Sequence, residues 1–179
     1  MPKIDAVALL KADHRKVEDL FEKFEKARND RKQALVQEIC TDLVVHSIIE
    51  EEIFYPSCKD KIEDETILEE SYVEHDGAKV LIAELLDSEP DAEFYDAKVS
   101  VLSEMIKHHV KEEEKRGEGL LAQAKSAGLD MEALGERIMQ RKQELMAKFK
   151  GGVSLPPPQT RSFTGHKLVQ GKPEEAPQL

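Results

Sequence analysis

Four stretches of the chain place apolar residues three and four positions apart, and each carries histidine, which falls at an inward position in at least the first three. In the first, Val7, Leu10, His14, Val17, Phe21 and Phe24 form one seam, the spacing of a helix with a single buried face. The second carries Leu35, Ile39, Leu43, His46, Glu50 and Ile53, and the third Leu68, His75, Ile82 and Leu86. The fourth carries Leu102, then Met105 or Ile106, and then His108 and His109. One buried histidine is ordinarily a satisfied core residue. Histidine on each of four helices asks for a common partner, because an unpaired buried imidazole has a desolvation cost.

Local signals bound the helices. Asp5 reads as the N-cap of a first helix running to about Ala27, and "ARNDRK" is the turn after it. The second helix runs from about Arg31 to Tyr55, where Pro56 is expected to stop it. "CKDKIEDE" leads to the third helix and "DSEPD" ends it, and the fourth runs from about Ala92 into "HHVKEEE". Beyond "GEG" the pattern weakens. It resumes in an amphipathic helix from about Met131 to Phe149, capped by Asp130, with Met131, Leu134, Ile138, Leu145 and Phe149 inward. That helix carries no histidine and is assigned packing or dimer contact. The expected fold is all-α: an up-down-up-down four-helix bundle over about 5–120, an additional C-terminal helix completing a domain over 1–150, and a disordered tail over 151–179. His166 falls in the tail and is set aside as a ligand, since an unordered backbone cannot preorganise it.

Connection lengths test whether the histidines meet. Each residue rises ~1.5 Å along a helix, so residues equidistant from a turn share a height. His14 and His46 are nearly symmetric about Asn29 and Asp30, Glu50 and His75 about Ile62, and His75 and His109 about a point near Ala92. All four helices therefore place histidine in one layer. Glu50 lies four residues after His46 and Glu113 four after His109, and His108 and Glu112 repeat the spacing. Each such pair shares a helical face. Mixed imidazole and carboxylate donors suit iron or manganese. Glu51, Glu52, Glu112 and Glu114 read as a solvated edge. His109, seven residues after Leu102, is preferred with Glu113 on helical phase; His108, which follows Val101 and Met105, remains the alternative with Glu112.

Charge narrows the function classes. A net charge of -11 argues against nucleic acid and anionic membranes, which need a basic face, and is compatible with cations. Charged residues make up 35% and aromatics 5% with no Trp, which favours a helical core. Without an apolar run of membrane-spanning length or a signal-peptide core, the expectation is a soluble, cytoplasmic protein, monomer or homodimer. Cys40 and Cys58 are expected to be reduced thiols.

The segments "LLKADHRKVEDLF", "HSIIEEEIFYP", "EHDGAKVLIAEL" and "HHVKEEE", taken in this order, resemble the hemerythrin-like HHE cation-binding proteins. "LDMEALGERIMQRKQEL" is similar to the extension that follows this domain in many bacterial members. The resemblance implies a non-haem di-iron centre, bridged by carboxylates and by an oxo or hydroxo group; manganese in place of iron is the alternative left by the donor types. By motif its ligands are His14, His46, Glu50, His75, His109 and Glu113. It implies binding or reaction with a small diatomic ligand (O2 or NO) or with peroxide, or else non-enzymatic iron sensing, storage or delivery. Lys79 stands where oxygen-carrying hemerythrins have a second histidine, one turn after His75, and glutamates replace their later aspartate. Fewer ligands favour reaction at the metal over reversible oxygen carriage. Tyr72, one turn before His75, is a candidate phenolate for that position, although a helical tyrosine at core spacing more often serves packing.

Overall fold

The computed structural model describes residues 5–150, 155 and 159–163, and the regular structure among them is all helical. α1 (Ala6–Glu25) starts where Asp5 accepts the Ala8 amide at 3.0 Å. α2 is Asn29–Ile49, α3 Tyr55–Cys58, α4 Thr66–Leu86, α5 Tyr95–Glu113, α6 Leu120–Ser126 and α7 Met131–Lys150. α1 packs on α2, α2 on α4, α4 on α5, and α5 back on α1. This ring of antiparallel neighbours is the expected four-helix bundle.

The second helix departs from expectation. Glu50–Phe54 is a π-helical segment, and the Tyr55 amide donates to the Glu50 carbonyl, five residues back. Such a segment takes in extra chain per turn and rotates everything after it. Glu50, Glu51, Ile53 and Phe54 are buried, and Tyr55 turns inward. Pro56 does not stop the chain: it falls in the first turn of α3, where a missing N–H costs least.

Other corrections are smaller. The fourth helix begins at Tyr95, past the loop that holds Pro90. Ile106 takes the inward position rather than Met105, and Leu85 is more buried than Leu86. α6 was not legible because only Leu120, Leu121 and Ala124 of its seven residues are buried. Its N-cap Gly119 sits so close to the end of α5 that an added Cβ would come within 2.3 Å of the Glu113 carbonyl oxygen. Only glycine allows that approach.

The apolar core lies on both sides of a polar layer. On one side Leu10, Ile49, Phe54, Leu120 and Ile138 are buried, and on the other Val17, Phe21, Ile39, Ile82 and Leu102. α7 is held at its start by Asp130, which accepts the Ala133 amide at 3.0 Å. It lies across α1 and α2, with Leu134, Ile138 and Leu145 buried. Each such side chain contributes about 1.5–3 kcal/mol on burial, which gives the helix a packing role.

Part of the expected tail rests on the bundle. The amides of Arg161 and Ser162 donate to Asp76 Oδ2 at 2.9 and 2.6 Å, and Lys79 donates to the Gln159 carbonyl at 3.1 Å. His166 lies outside the described residues, as does most of 151–179. No helix among the described residues is long and apolar enough to cross a membrane.

Candidate metal centre

Each bundle helix presents one imidazole to the polar layer: His14, His46, His75 and His109 are all under 7% exposed, and Glu50 and Glu113 are 0% and 1% exposed. His109 and Glu113 are thus the inward pair. His108 points out at 64% exposure, so the alternative register is not adopted. Donor atoms of His14, His46, Glu50 and Glu113 lie within 4.8 Å of one another, as do those of Glu50, His75 and His109. The chain therefore brings together all six residues singled out by motif, with Glu50 common to both groups.

The ring orientations follow from partners outside this layer. His14 Nδ1 meets Glu114 at 2.8 Å, His75 Nδ1 meets Glu51 at 3.0 Å, His109 Nδ1 meets Glu74 at 2.7 Å, and His46 Nδ1 lies 3.5 Å from Asp13. A carboxylate only accepts, so these contacts place a proton on each Nδ1 and turn Nε2 inward. Glu51 and Glu114 are therefore not plain solvated edge. Sequence reading missed them, together with Asp13 and Glu74, because their partners lie on other helices. Glu52 is the surface residue expected, paired with Arg141 at 2.8 Å.

What faces inward is rich in acceptors. Nε2 of His14 and His46 are 3.1 Å apart, and so are Nε2 of His75 and His109. Glu50 Oε1 and Glu113 Oε2 are buried with no hydrogen-bond partner. Lone pairs this close repel unless positive charge sits between them. In the metal-free chain protons fill that need. Burial opposes a charge on His46, but Glu50 and Asp13 outweigh it and take the imidazole up to about 10. His75 likewise rises to about 9 against burial, through Glu50 and Glu51. Burial and the charge of His46 push His14 down to about 4. Burial and the neighbouring Glu50 raise the Glu113 carboxyl. Glu50 itself is held well below its usual range, burial being outweighed by His46 and His75. These residues fit a metal cation: imidazoles aimed at a common centre by carboxylates behind them, and one oxygen of each of Glu50 and Glu113 without a hydrogen-bond donor.

Tyr55 is the site residue that sequence reading missed. Its hydroxyl donates to Glu113 Oε1 at 2.9 Å, and Glu50 Oε2 and His75 Nε2 are each 3.2 Å away. Burial and the two carboxylates keep the phenol well above its ordinary range. Tyr72 packs edge-on against Tyr55 with ring centroids 5.3 Å apart, the packing role its core spacing favours over that of a phenolate donor. Lys79 is also directed away from the donor cluster, donating to Glu51 at 2.6 Å. Cys40 and Cys58 are free and buried, and burial raises both thiols to about 12. Neither belongs to the donor cluster.

A cavity of about 20 Å³ adjoins the four histidines, walled by Val17, Leu43, Ala78, Ile82, Ile106 and Val110. It has room for one water-sized molecule.

A crystal structure of a hemerythrin HHE cation-binding domain-containing protein from Mycobacterium kansasii has a similar fold. Its TM-score is 0.66 at 19% identity, covering 82% of this chain and 93% of that one. A protein named DNA nickase from Nostoc sp. is 29% identical over 107 residues, 59% of this chain, and the chain spans only 30% of that protein's length. The hemerythrin HHE cation-binding domain matches residues 5–117, which hold every histidine and glutamate of the cluster. With that match and a buried histidine and carboxylate cluster suited to metal, the chain belongs to the hemerythrin HHE cation-binding domain family.

Proposed function

We propose that the cluster is a non-haem di-iron site at which O2, peroxide or NO binds or reacts, with His14, His46, Glu50, His75, His109 and Glu113 as its ligands. The observation that carries this reading is the sharing of Glu50 between two donor groups. A carboxylate common to both is what two adjacent cations need to offset their repulsion. Imidazole and carboxylate donors suit iron, with manganese as the other candidate. Bound iron supplies redox chemistry and open coordination for a small ligand.

The protein's own part is to aim and to exclude. Glu114, Asp13, Glu51 and Glu74 hold the four rings, and the apolar wall beside them admits a small neutral molecule while keeping bulk water out. Tyr55 offers a phenol oxygen beside His75 and Glu113, and we assign it a place in the donor set. The net charge of -11 speaks against a nucleic-acid partner, so nicking is not carried over from the Nostoc protein.

The test is iron per chain in the purified protein, with the visible spectrum and peroxide concentration followed after peroxide is added. Two irons with rapid peroxide loss are expected. A loaded protein that neither changes spectrum nor consumes peroxide points to iron sensing, storage or delivery. A chain that takes up no metal overturns the proposal.

A further inference from the structure

The carboxylate behind each histidine has a basic side chain as a partner of its own. Arg15 donates to Glu114 at 2.5 Å, Lys79 donates to Glu51 at 2.6 Å, and His108 lies 3.3 Å from Glu74. For Asp13 the partner is Lys142, whose Nζ donates to Oδ1 while Oδ2 faces His46 Nδ1 at 3.5 Å. The first three partners lie within residues 5–117, but Lys142 comes from α7, beyond the family match. We propose that Lys142 is a positioning residue for the metal centre, acting on His46 through Asp13, so that α7 tunes the centre as well as covering the bundle. The inference rests on the di-iron reading above.

The physical basis is charge transmitted through a partly buried contact. The side chains of Asp13 and Lys142 are 12% and 26% exposed, so water screens the pair less than an open surface pair. The ammonium draws on the Asp13 carboxylate and limits the negative charge it lends to His46. Without it, His46 becomes a stronger donor and the centre loses a nearby positive charge. Both changes favour the more oxidised metal.

Arg141 provides the control. It also joins α7 to the bundle, gripping Glu52 at 2.8 and 3.2 Å, but Glu52 is on the surface and backs no histidine. Losing Arg141 removes the same charge and a comparable docking contact without touching the path to His46.

The experiment measures the iron midpoint potential and melting temperature of the full chain and of Lys142→Met, Lys142→Gln, Lys142→Arg and Arg141→Met. Lys142→Gln keeps a hydrogen-bond donor and loses only the charge, which covers the case in which the methionine variant does not fold. Lys142→Met and Lys142→Gln are expected to shift the potential negative, with Lys142→Arg and Arg141→Met near the wild-type value. An unchanged potential in the glutamine variant overturns the inference, as does an equal shift in Arg141→Met, since α7 would then act only by docking. A wild-type chain that takes up no iron overturns the di-iron reading and this inference together. Wild-type loading with an insensitive potential overturns this inference alone.

Discussion

The Tyr55 hydroxyl donates to Glu113 Oε1 at 2.9 Å, across the bundle from a helix 58 residues further along the chain. The π-helical segment Glu50–Phe54 sets that contact, because it turns Tyr55 into the layer that Glu50 and His75 share. A regular helix would point residue 55 elsewhere, since each added residue rotates the phase by about 100°. Tyr55→Phe keeps the ring packing and removes the hydroxyl from two buried carboxylates. Urea unfolding of the metal-free chain is expected to show a loss of about 1–3 kcal/mol, and the visible spectrum of the iron-loaded chain is expected to change. Wild-type values for both would remove Tyr55 from the site.

Glu50 belongs to both donor groups, whereas His109 belongs to one. Glu50→Ala is therefore expected to abolish metal uptake, whereas His46→Ala breaks the group that contains both glutamates and leaves Glu50, His75 and His109, so it is expected to lose more than half of the metal. His109→Ala leaves His14, His46, Glu50 and Glu113 in place and is expected to keep part of its metal. All three should retain helical circular dichroism, since apolar layers above and below the site hold the bundle. Metal analysis of the three variants decides the point, and full loading of Glu50→Ala would refute the ligand set.

His108 and His109 are adjacent in sequence and opposite in role. His108→Ala removes an exposed ring that lies 3.3 Å from Glu74 Oε1, and surface changes of this kind usually stay within about 0.5 kcal/mol. Metal content should stay at the wild-type level. A large loss would mean that the other helical register is the one in use.

Removing the metal should lower thermal stability. A cation present at a hundredfold excess over its dissociation constant stabilises the native state by about 2.7 kcal/mol. For a chain of this size that corresponds to roughly 5–11 °C in melting temperature. Scanning calorimetry with and without a strong chelator measures the difference, and coincident melts would show that the buried carboxylates hold no cation.

The seating of α7 should be sensitive to truncation of its core side chain. Ile138 is fully buried between α7 and the bundle, so Ile138→Ala is expected to cost about 2–5 kcal/mol. Chemical denaturation reads this directly. A cost below about 1 kcal/mol would mean that the helix is not seated as described.

Much of the site could be read from local periodicity. Val7, Leu10, His14, Val17, Phe21 and Phe24 were assigned inward from spacing alone, and all are buried. The turn symmetry that placed His14 beside His46 and His75 beside His109 holds at 3.1 Å in both pairs. Tyr55 escaped because Pro56 follows it, which looks like a helix end, and because a π segment has no periodic signature in five residues. Glu51 and Glu114 escaped because a charge run looks the same whether its members are solvated or paired across the bundle.

By itself the sequence determined that His14, His46 with Glu50, and His75 face inward in one layer and that the fourth helix adds a histidine and a glutamate to it, while the choice of His109 and Glu113 over His108 and Glu112 came from the structure. That is a short-range matter, settled by three to four residues per turn and by the cost of burying polar groups singly. Only the tertiary structure decided what surrounds that layer: the rotation that brings Tyr55 to Glu113, and the carboxylates, with the basic side chains behind them, that hold each ring. Those contacts join residues as far apart as Asp13 and Lys142, 129 positions along the chain. Their charges act through space, and no local pattern records which of many surface lysines and glutamates will meet.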